Sequence, residues 1–346
     1  MKKEKTKRYL IIFLKTTIAF LAIWVLFKSE KLTKESFTNL FQAHNIPFIL
    51  LSSLAYVSSQ LLATSRLSLL LRAIDFHLRF FQGFKLNIIG NFFNIIIPGL
   101  TGGDLVKGYF LIRDEENNKG STSGIIIMDR VLGILALGFL SGISIIYLLQ
   151  LNNANLNIYH RKLYYIMVAI GALFCFFIVF LVFGSYQHVR GKLKTIFTKI
   201  FRNSILYYVV HGFGILIRKR RVLICSFLIS ISMQLITLSG LICLAKLTSG
   251  NVPGLLTLMA VSSVVMLLGS IPVTPGNIGW TELIAAFGWS AVGSDTGAEI
   301  FLYWRVVTVF CSLPGLYFFM AQRRAKAPKN HDYSVLESGE NRGYKS

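Results

Sequence analysis

Apolar runs long enough to cross a bilayer alternate with short polar connectors along most of this chain. Stretches 9–27, 47–71, 124–150, 163–183, 222–247 and 299–320 each approach or exceed the roughly 20 mostly apolar residues that a helix needs to span hydrocarbon. Helices are the expected form because backbone polar groups find no water at that depth and must bond to one another. Two further apolar stretches, 84–98 and 253–271, are each stopped by a Pro/Gly segment and followed by a second short apolar stretch. The pattern predicts an all-α polytopic membrane protein with about six transmembrane helices and two re-entrant, broken-helix hairpins.

The two interruptions resemble each other. The first reads Pro98-Gly99-Leu100-Thr101-Gly102-Gly103-Asp104 and the second Pro275-Gly276-Asn277-Ile278-Gly279-Trp280-Thr281-Glu282, both Pro-Gly-x-x-Gly followed by an acid. An arginine inside the next apolar span follows each, Arg130 after the first and Arg305 after the second. Asp129 and Glu299 precede those arginines. The first unit is expected to enter from one side of the membrane and the second from the other. Halves 1–150 and 163–321 would then be inverted copies joined by an outer loop at 151–162, with re-entrant elements near 84–112 and 253–293. Inverted repeats with discontinuous helices recur in transporters, whose sites lie near the midplane.

Composition agrees: 54% of the 346 residues are hydrophobic and only 15% charged. The net charge of +21 would suggest a nucleic-acid partner in a soluble protein, but its distribution argues for topology. With the amino terminus inside, regions 1–8, 66–85, 107–120, 185–221 and 322–346 face the cytoplasm and hold 27 of the 36 basic residues, whereas the outer loops hold six. This is the positive-inside bias, and it predicts a multi-pass protein of the inner or plasma membrane with both termini cytoplasmic and no nucleic-acid partner. The stretch 185–221 interleaves basic and apolar residues and suits an amphipathic helix on the inner leaflet, or else a solvated linker. The tail 322–346 is polar and expected to be disordered. Segment 9–27 follows five basic residues without a small-x-small cleavage site and reads as an uncleaved first helix.

Proline and glycine break a helix because one lacks an N–H and the other tolerates backbone angles that other residues avoid. Pro98, Gly99, Gly102, Gly103, Pro272, Pro275, Gly276 and Gly279 are therefore the expected hinge positions. Free N–H groups at the new helix starts favour anions. Buried charge is costly, so intramembrane charges are expected to face a partner or a cavity. Asp104, Lys107, Asp129, Arg130, Glu282 and Arg305 are the candidate substrate-binding residues: the cations meet an anionic headgroup while the acids, with Glu299, hold them in place. Arginine suits phosphate because its planar fork donates two hydrogen bonds. The alternative is a closed set of structural ion pairs, with Asp104 and Glu282 simply capping half-helices.

Other chemistries find no support in the residues. His44, His77, His160, His188, His211 and His331 are scattered without metal spacing, and Cys175, Cys225, Cys243 and Cys311 lie singly in apolar helices. No nucleotide-hydrolysing loop or nucleophile motif occurs, so no catalytic residue, metal or cofactor is expected.

The segment Asn91 to Lys107 with its Pro-Gly-x-x-Gly-Gly-Asp core, Met128-Asp129-Arg130-Val131-Leu132-Gly133, the Pro272-x-Thr274-Pro275-Gly276-x-x-Gly279-x-x-Glu282 segment and Arg305 together resemble the flippase-like transmembrane family of lysylphosphatidylglycerol synthases. The resemblance spans nearly the whole chain. Lys107 stands where the family pattern suggests arginine, which keeps the charge but loses the fork. The chain ends at Ser346, shortly after the last span, so the soluble aminoacyl-transferring domain is expected to be absent. The resemblance implies translocation of a phospholipid or other anionic lipid between leaflets. A membrane enzyme or accessory subunit in lipid-linked sugar or aminoacyl-lipid metabolism, and a scaffold for a partner lipid-modifying enzyme, are the other readings; a homo-oligomer is compatible with each.

Overall fold

The computed structural model describes residues 42–96, 102–113, 119–150, 219–248, 250–271 and 273–325, together with residues 17, 20, 21, 23–26, 28 and 38–40. Nine α-helices run through the continuous stretches among these residues. They are α1 (Ile46–Arg72), α2 (Phe80–Ile96), α3 (Gly102–Arg113), α4 (Lys119–Gln150), α5 (Arg220–Ala245), α6 (Leu255–Gly269), α7 (Trp280–Ser290), α8 (Gly297–Ser312) and α9 (Pro314–Ala325). The described residues contain no strand.

Among the described residues four spans are long and apolar enough to cross a membrane: Ala43–Arg72, Ser121–Gln150, Arg220–Ala245 and Gly297–Ala321. They correspond to the predicted spans 47–71, 124–150, 222–247 and 299–320. The predicted segment 163–183, the amphipathic stretch 185–221 up to Arg218 and the tail from 326 lie outside the described residues, as does most of 9–27. Within that first segment Leu26 is buried against Ala286 of α7 and Ala298 of α8.

Small residues set the helix contacts, as expected where lipid supplies no hydrophobic drive and close packing must hold helices together. Ser52 of α1 donates 2.6 Å to the carbonyl of Gly240 on α5, and a β-carbon at Gly240 would lie 3.2 Å from that of Ala55. Between α4 and α6, Ser141 donates 2.9 Å to the carbonyl of Ser263, and Ser263 donates 2.7 Å to Ser144.

The buried apolar residues gather mainly in two clusters. One joins α1, α2, α3 and α4 through Leu67, Leu71, Leu86, Leu111, Met128 and Leu132. The other joins α5, α6, α7 and α8 through Leu241, Val261, Val265, Trp289, Phe301 and Tyr303.

Each cluster contains one interrupted helix. The pair α2 and α3 flanks residues 97–101, and the pair α6 and α7 flanks a break that includes a short 3-10 turn at Pro275–Asn277. Pro98, Gly99 and Pro272 lie outside the described residues. At the second break Gly276, Asn277 and Gly279 have φ of 58°, 56° and 78°. Such left-handed angles are open to glycine without a side-chain clash. The second break rests on the first unit: a β-carbon at Gly276 would lie 3.1 Å from the carbonyl oxygen of Ile95, in the last turn of α2.

Candidate functional site

The start of α3 is seated directly on α2. Gly103 donates its N–H to Asn94 Oδ1 at 2.9 Å, replacing one of the bonds that a helix start lacks. The approach leaves no room for a side chain, since a β-carbon on Gly103 would fall 1.8 Å from the carbonyl oxygen of Gly90. A β-carbon on Gly90 would in turn fall 2.2 Å from Lys107 Cε, so the lysine stem lies in the groove that Gly90 leaves open.

Asp104, in the first turn of α3, is buried and shared by two cations. Arg130 Nε of α4 pairs with its Oδ2, and Lys107 Nζ stands 3.9 Å from its Oδ1. Lys107 also donates to Asn87 Oδ1 on α2. Arg130 is the outlying member: 48% of its side-chain surface is open, against 10% for Lys107 and 9% for Asp104.

Asp129, although adjacent to Arg130 in sequence, turns to a different partner. Arg66 of α1 donates to both of its carboxylate oxygens, at 2.7 and 2.9 Å, and to Ser230 of α5 at 2.7 Å. The triad ties three spanning helices together. Five charged groups therefore meet at this end of the first unit, three cations against two carboxylates.

At the second break Arg305 is spent on the backbone. From α8 it donates to the carbonyls of Gly276 and Asn277, each at 2.8 Å, and to Glu282 Oε1. The other oxygen of Glu282 accepts the N–H of Gly279 at 2.8 Å, which caps the start of α7. Asn277 adds a bond of 2.7 Å to the carbonyl of Gly269, closing the break. Glu299 is not joined to Arg305 here; it accepts the hydroxyl of Tyr303 one turn along α8.

Arg66 falls in the sequence-predicted connector 66–85, whereas α1 continues to Arg72 and buries it. A row of neutral polar side chains also lines these helices. Tyr56, Gln60 and Thr64 recur every fourth position on α1, and Asn87 and Asn91 do so on α2. That spacing places each set on one helix face and was readable from the sequence. Asn91 donates 2.7 Å to Gln60 Oε1 and 3.1 Å to the Tyr56 hydroxyl, which in turn meets Ser312 of α8 at 2.9 Å.

Long apolar helices, buried charge inside the spans and a backbone break braced by Arg305 define a polytopic helical membrane protein. Residues 12–315 match the family described as lysylphosphatidylglycerol synthase TM region, and the chain belongs to that family. A UPF0104 membrane protein of Pyrococcus horikoshii is 27% identical over 207 residues, which is 56% of this chain and 56% of the relative, so the match spans about half the length of that protein. No solved structure matches the chain.

Proposed function

We propose that the protein moves an anionic lipid, a phospholipid or a related amphiphile, between the leaflets of the cell membrane. One observation carries the reading: Asp104 is shared by Lys107 and Arg130, and Arg130 remains half open. Three cations against two carboxylates leave a positive excess among these five groups, and uncompensated charge at membrane depth is costly. A phosphate approaching Arg130 relieves that cost and accepts bonds from the part of the guanidinium not engaged by Asp104.

The two helix–break–helix units, one among α1 to α4 and one among α5 to α8, support an inverted repeat of halves 1–150 and 163–321. Family membership supports lipid as the substrate. Within this reading the two arginines divide the work. Arg130 receives the phosphate, and Arg305, committed to the second break, keeps that half rigid.

The test is leaflet redistribution of fluorescent phosphatidylglycerol in sealed vesicles holding the purified chain. Wild type should exceed empty vesicles and Arg130→Gln should not. Equal rates for wild type, variant and empty vesicles over a range of anionic headgroups would sink the proposal. An enzyme, by contrast, would turn over a lipid in detergent micelles, where no leaflets exist.

A further inference from the structure

The break between α6 and α7 gathers oxygen atoms around a single cation. The carbonyls of Gly276 and Asn277 and the Oε1 of Glu282 all accept from the guanidinium of Arg305, the two carbonyls at 2.8 Å each. A further acceptor lies in the same turn: Asn277 Oδ1 is buried and has no hydrogen-bond partner among the described residues, while the amide nitrogen of that side chain donates to the carbonyl of Gly269 at 2.7 Å. Left-handed φ angles of 58° at Gly276 and 56° at Asn277 hold the chain in this turn. The break is thus rich in acceptors, and one side chain supplies the positive charge.

Carbonyls of an unwound membrane helix are the groups with which transporters of discontinuous helices coordinate a coupling cation. Here a carboxylate joins them, and Glu282 is nearly closed off, with 4% of its side-chain surface open. Left empty, such a set of oxygens would carry uncompensated negative charge at membrane depth. Arginine answers this with a planar fork of five donors that stays charged at any physiological pH. An ion could leave and return with each cycle, whereas Arg305 is tied to α8 by its own chain. Its side chain is 21% open, so removing it would leave a place that a small solute can reach.

We propose that the second break is a cation site whose occupant is Arg305 itself, so that lipid movement needs no sodium or potassium ion and does not draw on a gradient of either. The oxygens of Gly276, Asn277 and Glu282 would accept a free cation of the same class, a small alkylguanidinium, once the arginine side chain is gone. The assignment of the site stands on the geometry alone. Its consequence for the driving force rests on the translocation reading above.

The experiment has two arms. In detergent, ethylguanidinium well below denaturing concentration should raise the unfolding temperature of Arg305→Ala by at least about 2 °C, because a ligand that binds only the folded state stabilises it, and should leave wild type unchanged. No rise in the variant, or an equal rise in wild type, overturns the cation site. In sealed vesicles, wild type should move fluorescent phosphatidylglycerol at a rate that stays within about twofold when sodium and potassium on both sides are replaced by N-methylglucamine at equal ionic strength, so that screening is unchanged. A larger loss, or a rate that follows an imposed sodium or potassium gradient, overturns the independence from these ions. If wild type moves no more lipid than empty vesicles do, the translocation reading fails, and with it the claim about the driving force, while the unfolding arm still decides the site. The vesicle arm uses wild type and decides the proposal should Arg305→Ala not yield folded protein.

Discussion

Arg66 of α1 holds Asp129 of α4 through two parallel hydrogen bonds, 2.7 and 2.9 Å long, although 63 positions separate the two residues. Removing one partner of such a buried pair leaves a bare charge, which typically costs about 3–5 kcal/mol. Asp129→Leu should therefore lower the unfolding temperature of the detergent-purified protein sharply. The double variant Arg66→Met with Asp129→Leu should recover most of the loss, since apolar replacements of similar volume are well tolerated at buried pairs. A double variant no more stable than the single one would show that the pair does something other than join helices.

The two arginines that follow the breaks should behave differently. Arg305 makes three bonds that shape the second break, so Arg305→Gln is expected to cost at least about 3 kcal/mol in unfolding experiments. Arg130 is half open, and Lys107 stays beside Asp104 in its absence. Arg130→Gln should thus remain within about 1 kcal/mol of wild type while losing translocation. Comparable destabilisation by both changes would contradict the division of labour.

Two glycines on α3 make a matched comparison. At Gly103 a methyl group would sit 1.8 Å from the Gly90 carbonyl, whereas at Gly108 it would meet only Ile126 Cδ1 at 3.5 Å. Gly103→Ala should push α3 off α2 and cost at least the 1–3 kcal/mol typical of overpacking, roughly. Gly108→Ala, in ordinary contact, should be neutral or slightly stabilising through helix propensity. Thermal denaturation of the pair checks this.

At the second break Gly276→Ala combines a left-handed φ of 58° with a contact of 3.1 Å to the Ile95 carbonyl. The conformational part alone costs roughly 1–2 kcal/mol. The variant should unfold at lower temperature and show faster proteolysis between α6 and α7, and an unchanged cleavage pattern would argue against the expected strain.

Much of the architecture was legible because a membrane leaves a chain few choices. A span must be long, apolar and helical, so the stretches around Leu51, Ile146, Ile224 and Val307 declared themselves, and the Pro275-Gly276 pair marked the second break. Charges inside spans were equally visible. Their pairing was not. Asp129 and Arg130 are neighbours in sequence, yet successive helix positions point about 100° apart, so one turns to Arg66 and the other to Asp104. Likewise Glu299 lies closer than Glu282 to Arg305 along the chain, but Glu282 is the carboxylate at the break. The face-to-face match of the polar stripes on α1 and α2 needed the helix packing itself.

The seating of Gly103 on Gly90 also has a mechanical side. With the backbone of Gly103 set against that of Gly90, α2 and α3 pack at close range, and Lys107 is lodged in the groove between them. Asp104, Lys107, Asn87 and Asn91 thus stand on one close-packed pair of helices, so the charged cluster and the polar face share a single support.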